Sequence, residues 1–300
     1  QENTQSVDTV SITDVDLDAT NTNSCVLTGD DSSKFSCSAT DSQYVLTFTN
    51  APDYDTPADN NGDNTYSVIV AINDGTNVGS GVTYAITLSD YNDQTPSYTS
   101  SDLSPSITEG VAAVETVAIT DTDALDTNAC IMGGADADDF TCSISPTQFV
   151  LAFATSPDYD SPSDSDQNNI YTVTITVNDG TQSGSTLTYT ITVLNINDDV
   201  PQYSSSDLTP SIVEGNAAVE TVSITDPDND DVNSCSLTGA DASDFYCQIS
   251  ATQFVLAFSS APDYETPGDA NGDNQYVVSV TVSDGFNTGS TLNYVVSVAD

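Results

Sequence analysis

The sequence predicts an all-β chain of three tandem Greek-key β-sandwiches of the immunoglobulin-like type, arranged end to end. Three observations lead to this prediction. Motifs repeat with a period of about 105 residues, apolar residues alternate with polar ones over short segments, and Gly, Asn, Asp and Pro separate those segments. About seven short strands per repeat, with turn residues between them, are typical of a β-sandwich.

The internal period covers the whole chain. The apolar pentapeptide at residues 44–48 recurs at 149–153 and 254–258, a spacing of 105 residues each time. Self-similarity at a fixed period indicates a repeat architecture. Because the repeats cover the whole given sequence, no segment of it remains for a catalytic domain, and we expect none. The predicted repeats are residues 1–93, 94–198 and 199–300.

The strands are predicted from alternation within each repeat. Residues 114–119, 171–177 and 187–193 place apolar side chains on one face, and in the last two segments mainly threonines lie opposite. A period of two residues is that of a half-buried strand. No segment shows helical periodicity with capping residues, so we expect strands throughout.

The composition is strongly acidic and excludes several classes of function. There are 46 acidic residues, one basic residue (Lys34) and no His or Trp, which gives a net charge of −45. Nucleic acids and anionic membrane surfaces bind through Lys and Arg, so neither is expected as a partner. No apolar run is long enough for membrane insertion of this segment. An apolar fraction of 37% with regular alternation argues against disorder.

Each repeat contains two cysteines, twelve positions apart. An even count in a fixed frame indicates disulfides and an oxidising, extracellular setting. A zinc site is the alternative, but two thiols per repeat without histidine cannot complete a tetrahedral site. The predicted pairs, each flanking a turn and joining neighbouring strands, are Cys25–Cys37, Cys130–Cys142 and Cys235–Cys247.

Acidic residues recur at set places in the repeat. A Glu stands at its start, an Asp-x-Asp follows the first predicted strand, an Asp-Tyr-Asp/Glu precedes the long predicted strand, and an Asp-Gly ends that strand. Two further acidic segments, 90–96 and 195–201, mark the repeat boundaries and end in proline. A single carboxylate is usually a solvated surface charge, but this register favours a hard, oxygen-loving cation such as Ca²⁺. The lack of His and free thiols disfavours zinc, copper and nickel.

At these motifs the chain resembles the cadherin repeat family, particularly the cadherin-like repeats of bacterial surface proteins. Segments 90–96 and 195–201 are similar to the family's DxNDNxP linker, 53–55 is similar to its LDRE motif, and 121–123 and 226–228 are similar to its DxD motif. The resemblance covers the whole chain. It implies cadherin-type sandwiches with Ca²⁺ bound at each junction between repeats.

The resemblance also implies which residues bind the metal. For the first junction they are Glu2, Asp53, Asp55, Asp90, Asn92 and Asp93, with Asp121, Asp123 and Asp179 from the next repeat. For the second they are Glu109, Asp158, Asp160, Asn195, Asn197 and Asp198, with Asp226, Asp228 and Asp284. Two half sites would be completed by further copies of the repeat, in the same chain or in neighbouring subunits: Glu214, Asp263, Glu265 and Asp300 at one end, and Asp14, Asp16 and Asp74 at the other.

The chain departs from the family pattern in ways that could alter affinity. Asn195 replaces the first linker Asp, and Gln94 or Asp199 replaces the last linker Asn. Asp55 and Asp160 are shorter than the family's Glu. The loops at 59–63, 164–168 and 269–273 look like EF-hand loops but lack the distal Glu ligand, so we interpret them as turns and an extra Ca²⁺ there as the lesser alternative.

These observations favour a Ca²⁺-stiffened structural rod, part of an extracellular filament or fibre on a cell surface. The alternative is the stalk, or a carbohydrate- or protein-binding segment, of a larger surface adhesin with a glycan or protein ligand. An enzyme is disfavoured, because catalytic carboxylate pairs need a concave apolar pocket. Absence of the Asn-x-Ser/Thr signal and the acidic charge suggest a prokaryotic, marine or saline source. The ends at Gln1 and Asp300 suggest a piece of a longer protein.

Overall fold

The computed structural model describes residues 1–13, 22–123, 127–228 and 233–300. Asp14 and Asp16 therefore lie outside the described residues. The chain is all-β, with three tandem β-sandwich repeats, as the alternation predicted. Among the described residues, no helix is long and apolar enough to pass through a bilayer.

The described residues form two compact units. Unit one contains the first repeat and part of the second, and unit two contains the rest of the second repeat and the third. Unit one comprises Gln1–Leu103, Ala113–Ala152 and Thr172–Tyr189, and unit two comprises Ser104–Ala112, Phe153–Tyr171 and Thr190–Asp300. The boundaries drawn from the sequence after residues 93 and 198 stay predictions.

The strands are short and recur in the same order. The first repeat has β1 (Ser6–Ser11), β2 (Ser24–Thr28), β3 (Phe35–Ala39), β4 (Gln43–Phe48), β5 (Thr65–Asn73) and β6 (Val82–Thr87). The second has β7 (Ser97–Tyr98), β8 (Ser106–Thr108), β9 (Ala113–Thr120), β10 (Ala129–Gly133), β11 (Phe140–Ser145), β12 (Gln148–Phe153), β13 (Ile170–Asn178) and β14 (Leu187–Leu194). The third has β15 (Gln202–Tyr203), β16 (Ser211–Val213), β17 (Ala218–Thr225), β18 (Ser234–Thr238), β19 (Phe245–Ile249), β20 (Gln253–Phe258), β21 (Gln275–Ser283) and β22 (Leu292–Ala299).

The third repeat shows the complete sandwich. One sheet has the order β15-β17-β20-β19 and the other has the order β16-β22-β21-β18. All pairs are antiparallel except β16 with β22, which is parallel over Ser211–Val213. In the second repeat, β7 pairs with β9 in unit one and β8 pairs in parallel with β14 in unit two. The first repeat has two three-stranded sheets, β1-β4-β3 and β2-β5-β6.

Alternate residues of each strand fill the space between the two sheets. In the third repeat Phe254, Leu256, Val278 and Tyr294 are fully buried. Burying a side chain of this size contributes about 1.5–3 kcal/mol. Phe254 and Leu256 are two positions apart on β20, so the period of two in the sequence shows which face of the strand is inside.

The three disulfides are confirmed, and all cysteines are paired. Cys25 lies on β2 and Cys37 on β3, which are consecutive strands in opposite sheets. The predicted pairing is therefore correct, and each bridge links the two layers of a sandwich. A loop of this length closed by a disulfide stabilises a fold by about 3 kcal/mol in the chain-entropy treatment. Each repeat is thus stabilised by a disulfide of its own.

Candidate metal centres at the repeat junctions

A buried glutamate anchors the first junction. Glu2 is only 2% exposed. Its carboxylate accepts hydrogen bonds from the backbone N–H groups of Tyr54, at 2.6 Å, and Tyr91, at 2.7 Å. Short hydrogen bonds to a charged acceptor are strong. Because one donor belongs to the Asp-Tyr-Asp loop and the other to the linker, Glu2 holds these two segments together.

The Asp-Tyr-Asp loop brings its carboxylates to one side. Oδ1 of Asp53 accepts hydrogen bonds from the N–H groups of Asp55, at 3.0 Å, and Thr56, at 3.1 Å, which is an Asx turn. Carboxylate oxygens of Glu2, Asp53 and Asp55 consequently lie within 4.8 Å of one another. Asp55 belongs to a second such group with Asp90 and Asp123, so it connects the loop to the linker and to the second repeat.

Two aspartates of the second repeat are each held by one carboxylate oxygen. Oδ2 of Asp123 accepts a hydrogen bond from the N–H of Gln94 at 2.7 Å. Oδ1 of Asp179 accepts hydrogen bonds from the N–H groups of Thr181 and Gln182, both at 2.6 Å. Each carboxylate is thereby fixed in orientation by backbone donors that use only one of its two oxygens.

Several carboxylate oxygens at the first junction accept no hydrogen bond from the described residues. Oδ2 of Asp55, Oδ2 of Asp121, Oδ1 of Asp123 and Oδ2 of Asp179 are buried and, within the part of the chain that the structure describes, accept no hydrogen bond. Buried polar atoms are nearly always hydrogen-bonded, because an unsatisfied one carries its full desolvation cost. Four such oxygens at one junction fit a ligand set for a cation.

The linker side chains tie the repeats together in a different way. The side-chain amide of Asn92 donates a hydrogen bond to the backbone oxygen of Asp179 at 3.2 Å. Asp93 accepts hydrogen bonds from the side-chain amides of Asn3, at 2.6 Å, and Gln94, at 2.8 Å. Asn92 and Asp93 therefore both take part in hydrogen bonds at the junction, and their role as ligands stays a prediction.

The second junction, within unit two, repeats this construction. Glu109 accepts hydrogen bonds from the N–H groups of Tyr159 and Ile196, both at 2.7 Å. Carboxylate oxygens of Glu109, Asp160 and Asp198 lie within 4.8 Å of one another. The other contacts that match the first junction are Asp199 N–H to Asp228 Oδ2 at 2.9 Å, Phe286 N–H to Asp284 Oδ1 at 2.7 Å, and Asp160 N–H to Asp158 Oδ1 at 3.0 Å.

Unsatisfied oxygens recur at this second junction. Oδ1 of Asp228 and Oδ2 of Asp284 are buried and have no hydrogen-bond partner among the described residues. Asp226 lies beside Asp228, whose N–H points to its Oδ1 at 3.3 Å. Asn195 is exposed, and its uncharged amide stands where the first junction has Asp90.

The pKa values of the clustered carboxylates respond to their crowding. Burial, followed by the charges of Asp123 and Asp90, raises the pKa of Asp55 to about 6. Burial, followed by the charges of Asp228 and Glu109, raises the pKa of Asp160 to about 6. Both shifts have the sign expected for carboxylates that repel one another in a partly desolvated site. A bound cation would remove that repulsion.

The two predicted half sites are only partly described. Carboxylate oxygens of Glu214, Glu265 and Asp300 lie within 4.8 Å of one another, and Asp263 Oδ1 accepts a hydrogen bond from the N–H of Thr266 at 3.0 Å. Asp74 forms the same turn as Asp179, with N–H donors from Thr76 and Asn77 to its Oδ1. Asp14 and Asp16, its expected partners, are outside the described residues.

The loops that look like EF-hands have a structural role in the described chain. Asp59 accepts hydrogen bonds from the N–H groups of Asp63, at 2.9 Å, and Asn64, at 3.2 Å. Burial by itself would raise the pKa of Asp59, but the backbone hydrogen bonds outweigh it and lower that pKa below its usual value. Asn64 has a φ of 61°, in the left-handed region that Asn tolerates. The favoured interpretation of this segment as a turn therefore agrees with the geometry.

Two features escaped the sequence analysis. Asp199 lies in the second junction, where burial and the charges of Asp228 and Asp198 raise its pKa; only its place in the linker motif could have signalled this. The buried aspartates Asp31, Asp136 and Asp241 lie before the short 3-10 helices, and each accepts a hydrogen bond from a backbone N–H of the longest strand. Their common spacing of 105 residues was visible in the sequence.

Comparison with known proteins identifies the fold. No known protein family and no curated protein sequence matches this chain. Among solved structures, the EC3-6 cis-dimer structure of protocadherin gammaB7 is 20% identical, with a TM-score of 0.60 over 99% of this chain and 69% of that one. Mouse cadherin-23 EC22-24 is 17% identical, with a TM-score of 0.58 over 100% of this chain and 93% of that one.

The extracellular domain of protocadherin GammaB4 is 16% identical, with a TM-score of 0.61 over 100% of this chain. This chain spans about half the length of that protein, since it covers 47% of it. At such identities the likeness concerns the fold. The chain has a cadherin-like fold of three tandem β-sandwich repeats.

Proposed function

We propose that this chain is an extracellular structural segment whose repeat junctions bind Ca²⁺, and that the bound ions stiffen it into a rod within a cell-surface filament or fibre. The observation that carries the proposal is the set of buried carboxylate oxygens without hydrogen-bond partners among the described residues, repeated at both junctions. Lys34 is the only basic residue in the chain, so side-chain ion pairs cannot satisfy these oxygens.

The donor set fits Ca²⁺. This cation takes six to eight oxygen ligands from carboxylates, amide carbonyls and the backbone. At the first junction Glu2, Asp53, Asp55, Asp90 and Asp123 supply carboxylates close enough to share ions, and Asp121 and Asp179 add buried oxygens. At the second, Glu109, Asp160, Asp198, Asp228 and Asp284 do the same.

Stiffening follows from where these ligands sit along the chain. Asp55 belongs to the first repeat and Asp123 to the second, yet their carboxylate oxygens are within 4.8 Å. Two such charges repel by about 1 kcal/mol even at the dielectric constant of water, and by more where they are partly buried. Bound Ca²⁺ would supply the positive charge that turns this repulsion into a bridge. The carboxylates then resist bending between repeats.

The proposal extends to setting and partners. A chain with a net charge of −45 is favoured where salt screens its self-repulsion, so we infer a saline, Ca²⁺-rich extracellular habitat. The half site of Glu214, Glu265 and Asp300 would be completed by a further copy of the repeat. Catalysis forms no part of the proposal.

Calorimetric titration of the chain with Ca²⁺, after removal of divalent metals, tests the proposal. We expect binding at about 10⁻⁴–10⁻³ M, the range of extracellular modules. Asp123→Asn removes one charge from the first junction and should weaken binding there about tenfold, by loss of a ligand charge. Asp138→Asn is the matched control, because it removes the same charge from an exposed carboxylate. Equal binding by both variants and the parent would refute the assignment.

A further inference from the structure

The two junctions differ in where their linkers carry negative charge. Of the nine residues expected to bind metal at each junction, eight are carboxylates at the first and seven at the second, because Asn195 stands in the place of Asp90. Asn195 is exposed, whereas Asp90 is half-buried. Four positions further along the linker the difference is reversed, since Asp199 stands in the place of Gln94. With Asp199 included, the second junction also has eight carboxylates.

Gln94 and Asp199 occupy the same place in the fold. The N–H of Gln94 donates a hydrogen bond to Oδ2 of Asp123 at 2.7 Å, and the N–H of Asp199 donates one to Oδ2 of Asp228 at 2.9 Å. Asp123 and Asp228 are equivalent residues, 105 positions apart. The backbone thus brings the fifth linker residue against the following repeat in both junctions. The substitution therefore changes the charge of the junction and keeps the path of the linker.

At the first junction, Gln94 acts as a neutral hydrogen-bond donor to its neighbour in the linker. Its side-chain amide donates to Oδ1 of Asp93 at 2.8 Å, and the side-chain amide of Asn3 donates to Oδ2 of Asp93 at 2.6 Å. Both oxygens of this carboxylate are therefore engaged by amides of the protein.

The second junction has neither of these two amides. Gly110 stands in the place of Asn3, and both adopt the left-handed backbone conformation, with φ of 75° and 59°. Asp199 replaces the second amide, that of Gln94, with a carboxylate. Two donors of the first junction are thus exchanged for one additional acceptor.

The linker carboxylate of the second junction is consequently placed differently. Asp198 matches Asp93, and its carboxylate lies within 4.8 Å of those of Glu109 and Asp160. Asp93 belongs to no such group of three among the described residues. Without amide donors beside it, Asp198 lies among the carboxylates that face the junction.

The carboxylate of Asp199 lies close to acidic residues of three segments. It is half-buried, and after burial the charges that raise its pKa are those of Asp228, Asp198 and Asp158. These three residues belong to the third repeat, the linker and the Asp-Tyr-Asp loop of the second repeat. The backbone oxygen of Asp199 accepts a hydrogen bond from the side-chain amide of Asn287 at 2.9 Å, which fixes this part of the linker.

Two buried oxygens beside Asp199 indicate a cation independently of the number of charges. Asp228 is 3% exposed and Asp284 is 5% exposed. Oδ1 of Asp228 and Oδ2 of Asp284 have no hydrogen-bond partner among the described residues. The other oxygen of Asp228 is the one that accepts the N–H of Asp199. Because the second and third repeats contain no Lys, Arg or His, no side chain in them can neutralise these carboxylates.

We propose that Asp199 is a Ca²⁺-binding residue of the second junction, where its carboxylate supplies the charge that Asn195 lacks. This inference rests on the proposed binding of Ca²⁺ at the junctions and adds a residue that sets the affinity of one of them. The negative charge has moved by four positions within the linker, and the total at the junction is unchanged. Since Ca²⁺ affinity depends on the number of charged ligands, both junctions should fill over the same range of Ca²⁺ concentration.

Nuclear magnetic resonance of the isotope-labelled whole chain, titrated with Ca²⁺ after removal of divalent metals, tests the proposal at each junction separately. The backbone amide of Tyr91 donates to Glu2 at the first junction, and that of Ile196 donates to Glu109 at the second. Each amide signal therefore reports the filling of its own junction. In the parent chain we expect both signals to shift with similar midpoints.

The variant Asp199→Asn keeps the size of the side chain and removes its charge. The midpoint measured at Ile196 should rise about tenfold, because the second junction loses one charged ligand, whereas the midpoint at Tyr91 should not change. Asp138→Asn, which removes the charge of an exposed carboxylate, should alter neither midpoint. An unchanged midpoint at Ile196 in Asp199→Asn would overturn this inference and leave Ca²⁺ binding at the junctions intact.

A double substitution tests whether the two linker positions exchange charge. Asn195→Asp combined with Asp199→Asn gives the second linker the charge pattern of the first, and should return the midpoint at Ile196 to within about threefold of the parent value. A double variant that binds as weakly as Asp199→Asn alone would contradict the exchange. If Ca²⁺ shifted neither signal in the parent chain, the proposed function itself would fail, and this inference with it.

Discussion

At the scale of single residues, the junction aspartates depend on turns that use one oxygen and aim the other. Asp179 precedes Gly180, which has a φ of 100° in the left-handed region. That conformation lets the N–H groups of Thr181 and Gln182 reach back to Oδ1 of Asp179. Glycine adopts it without steric cost. The recurrent Asp-Gly is therefore a device for orienting a carboxylate, and Asp284 and Asp74 are built in the same way.

We predict that the junctions respond to pH near 6. Burial and neighbouring carboxylates raise the pKa of Asp55 and of Asp160 to about 6 in the metal-free chain. A raised pKa means that the folded state binds the proton more tightly than the unfolded state. The metal-free junction should therefore gain stability as pH falls through 6 and lose it as pH rises. Ca²⁺ competes with those protons, so its apparent affinity should fall as pH falls below 6.

Calorimetric titrations with Ca²⁺ at pH 5, 6, 7 and 8 measure this linkage, together with proton release in two buffers of different ionisation enthalpy. Asp55→Asn and Asp160→Asn together serve as the control, because they remove the titrating groups and should flatten the profile below pH 7. An affinity that stays constant from pH 8 to pH 5, without proton release, would contradict the assigned origin of the shifts.

At the scale of elements, buried aspartates attach each short 3-10 helix to the longest strand. Asp241 lies just before the helix Ala242–Asp244 and is buried. Its carboxylate accepts hydrogen bonds from the N–H groups of Val277, at 2.6 Å, and Ala270, at 2.7 Å. Val277 belongs to β21 and Ala270 to the preceding loop. One side chain thus connects three segments of the third repeat.

We predict that Asp241→Ala destabilises the third repeat by about 3 kcal/mol, because each hydrogen bond to a charged acceptor contributes about 1.5–3 kcal/mol. Asp241→Asn should lose clearly less stability, since the amide oxygen can still accept a hydrogen bond from one of the two N–H groups. Denaturant unfolding followed by circular dichroism gives both values. If the two substitutions had equal effects, or if alanine were neutral, the attachment would not be structural.

At the scale of the whole molecule, the disulfides lie within the repeats, whereas groups of close carboxylates lie at the junctions between them. Each sandwich has its own apolar core and disulfide, so we expect each to stay folded without metal. The junctions instead bring together carboxylates whose negative charges repel one another when no cation is bound. Removal of the cation should therefore affect the angles between repeats more than the repeats themselves.

Small-angle X-ray scattering with and without a chelator measures this difference. With Ca²⁺ we expect an extended particle in which each repeat adds roughly 40 Å, from strands of about 8–10 residues and a linker. With chelator the distribution of distances should broaden while circular dichroism keeps its strand signal. Asp93→Ala with Asp198→Ala should resemble the chelated chain. A particle that stays equally extended without Ca²⁺ would rule out stiffening by the metal.

The sequence by itself determined the fold class, the number of repeats and the disulfide pairs. Alternation in segments such as 171–177 shows which side chains are inside, because a strand places neighbours on opposite faces. The period of 105 residues relates the three copies without any structural knowledge. The resemblance to cadherin repeats pointed to the carboxylates at the junctions. These signals are local or periodic, so they can be read along the chain.

Only the tertiary structure decided which oxygens meet. Glu2 and Tyr91 are 89 residues apart, yet one accepts a hydrogen bond from the other at 2.7 Å. The unsatisfied oxygen of Asp179, the place of Asp199 in the second junction and the role of Asp241 likewise depend on distant neighbours. Burial and hydrogen bonding are properties of neighbours in space, which a linear pattern does not specify.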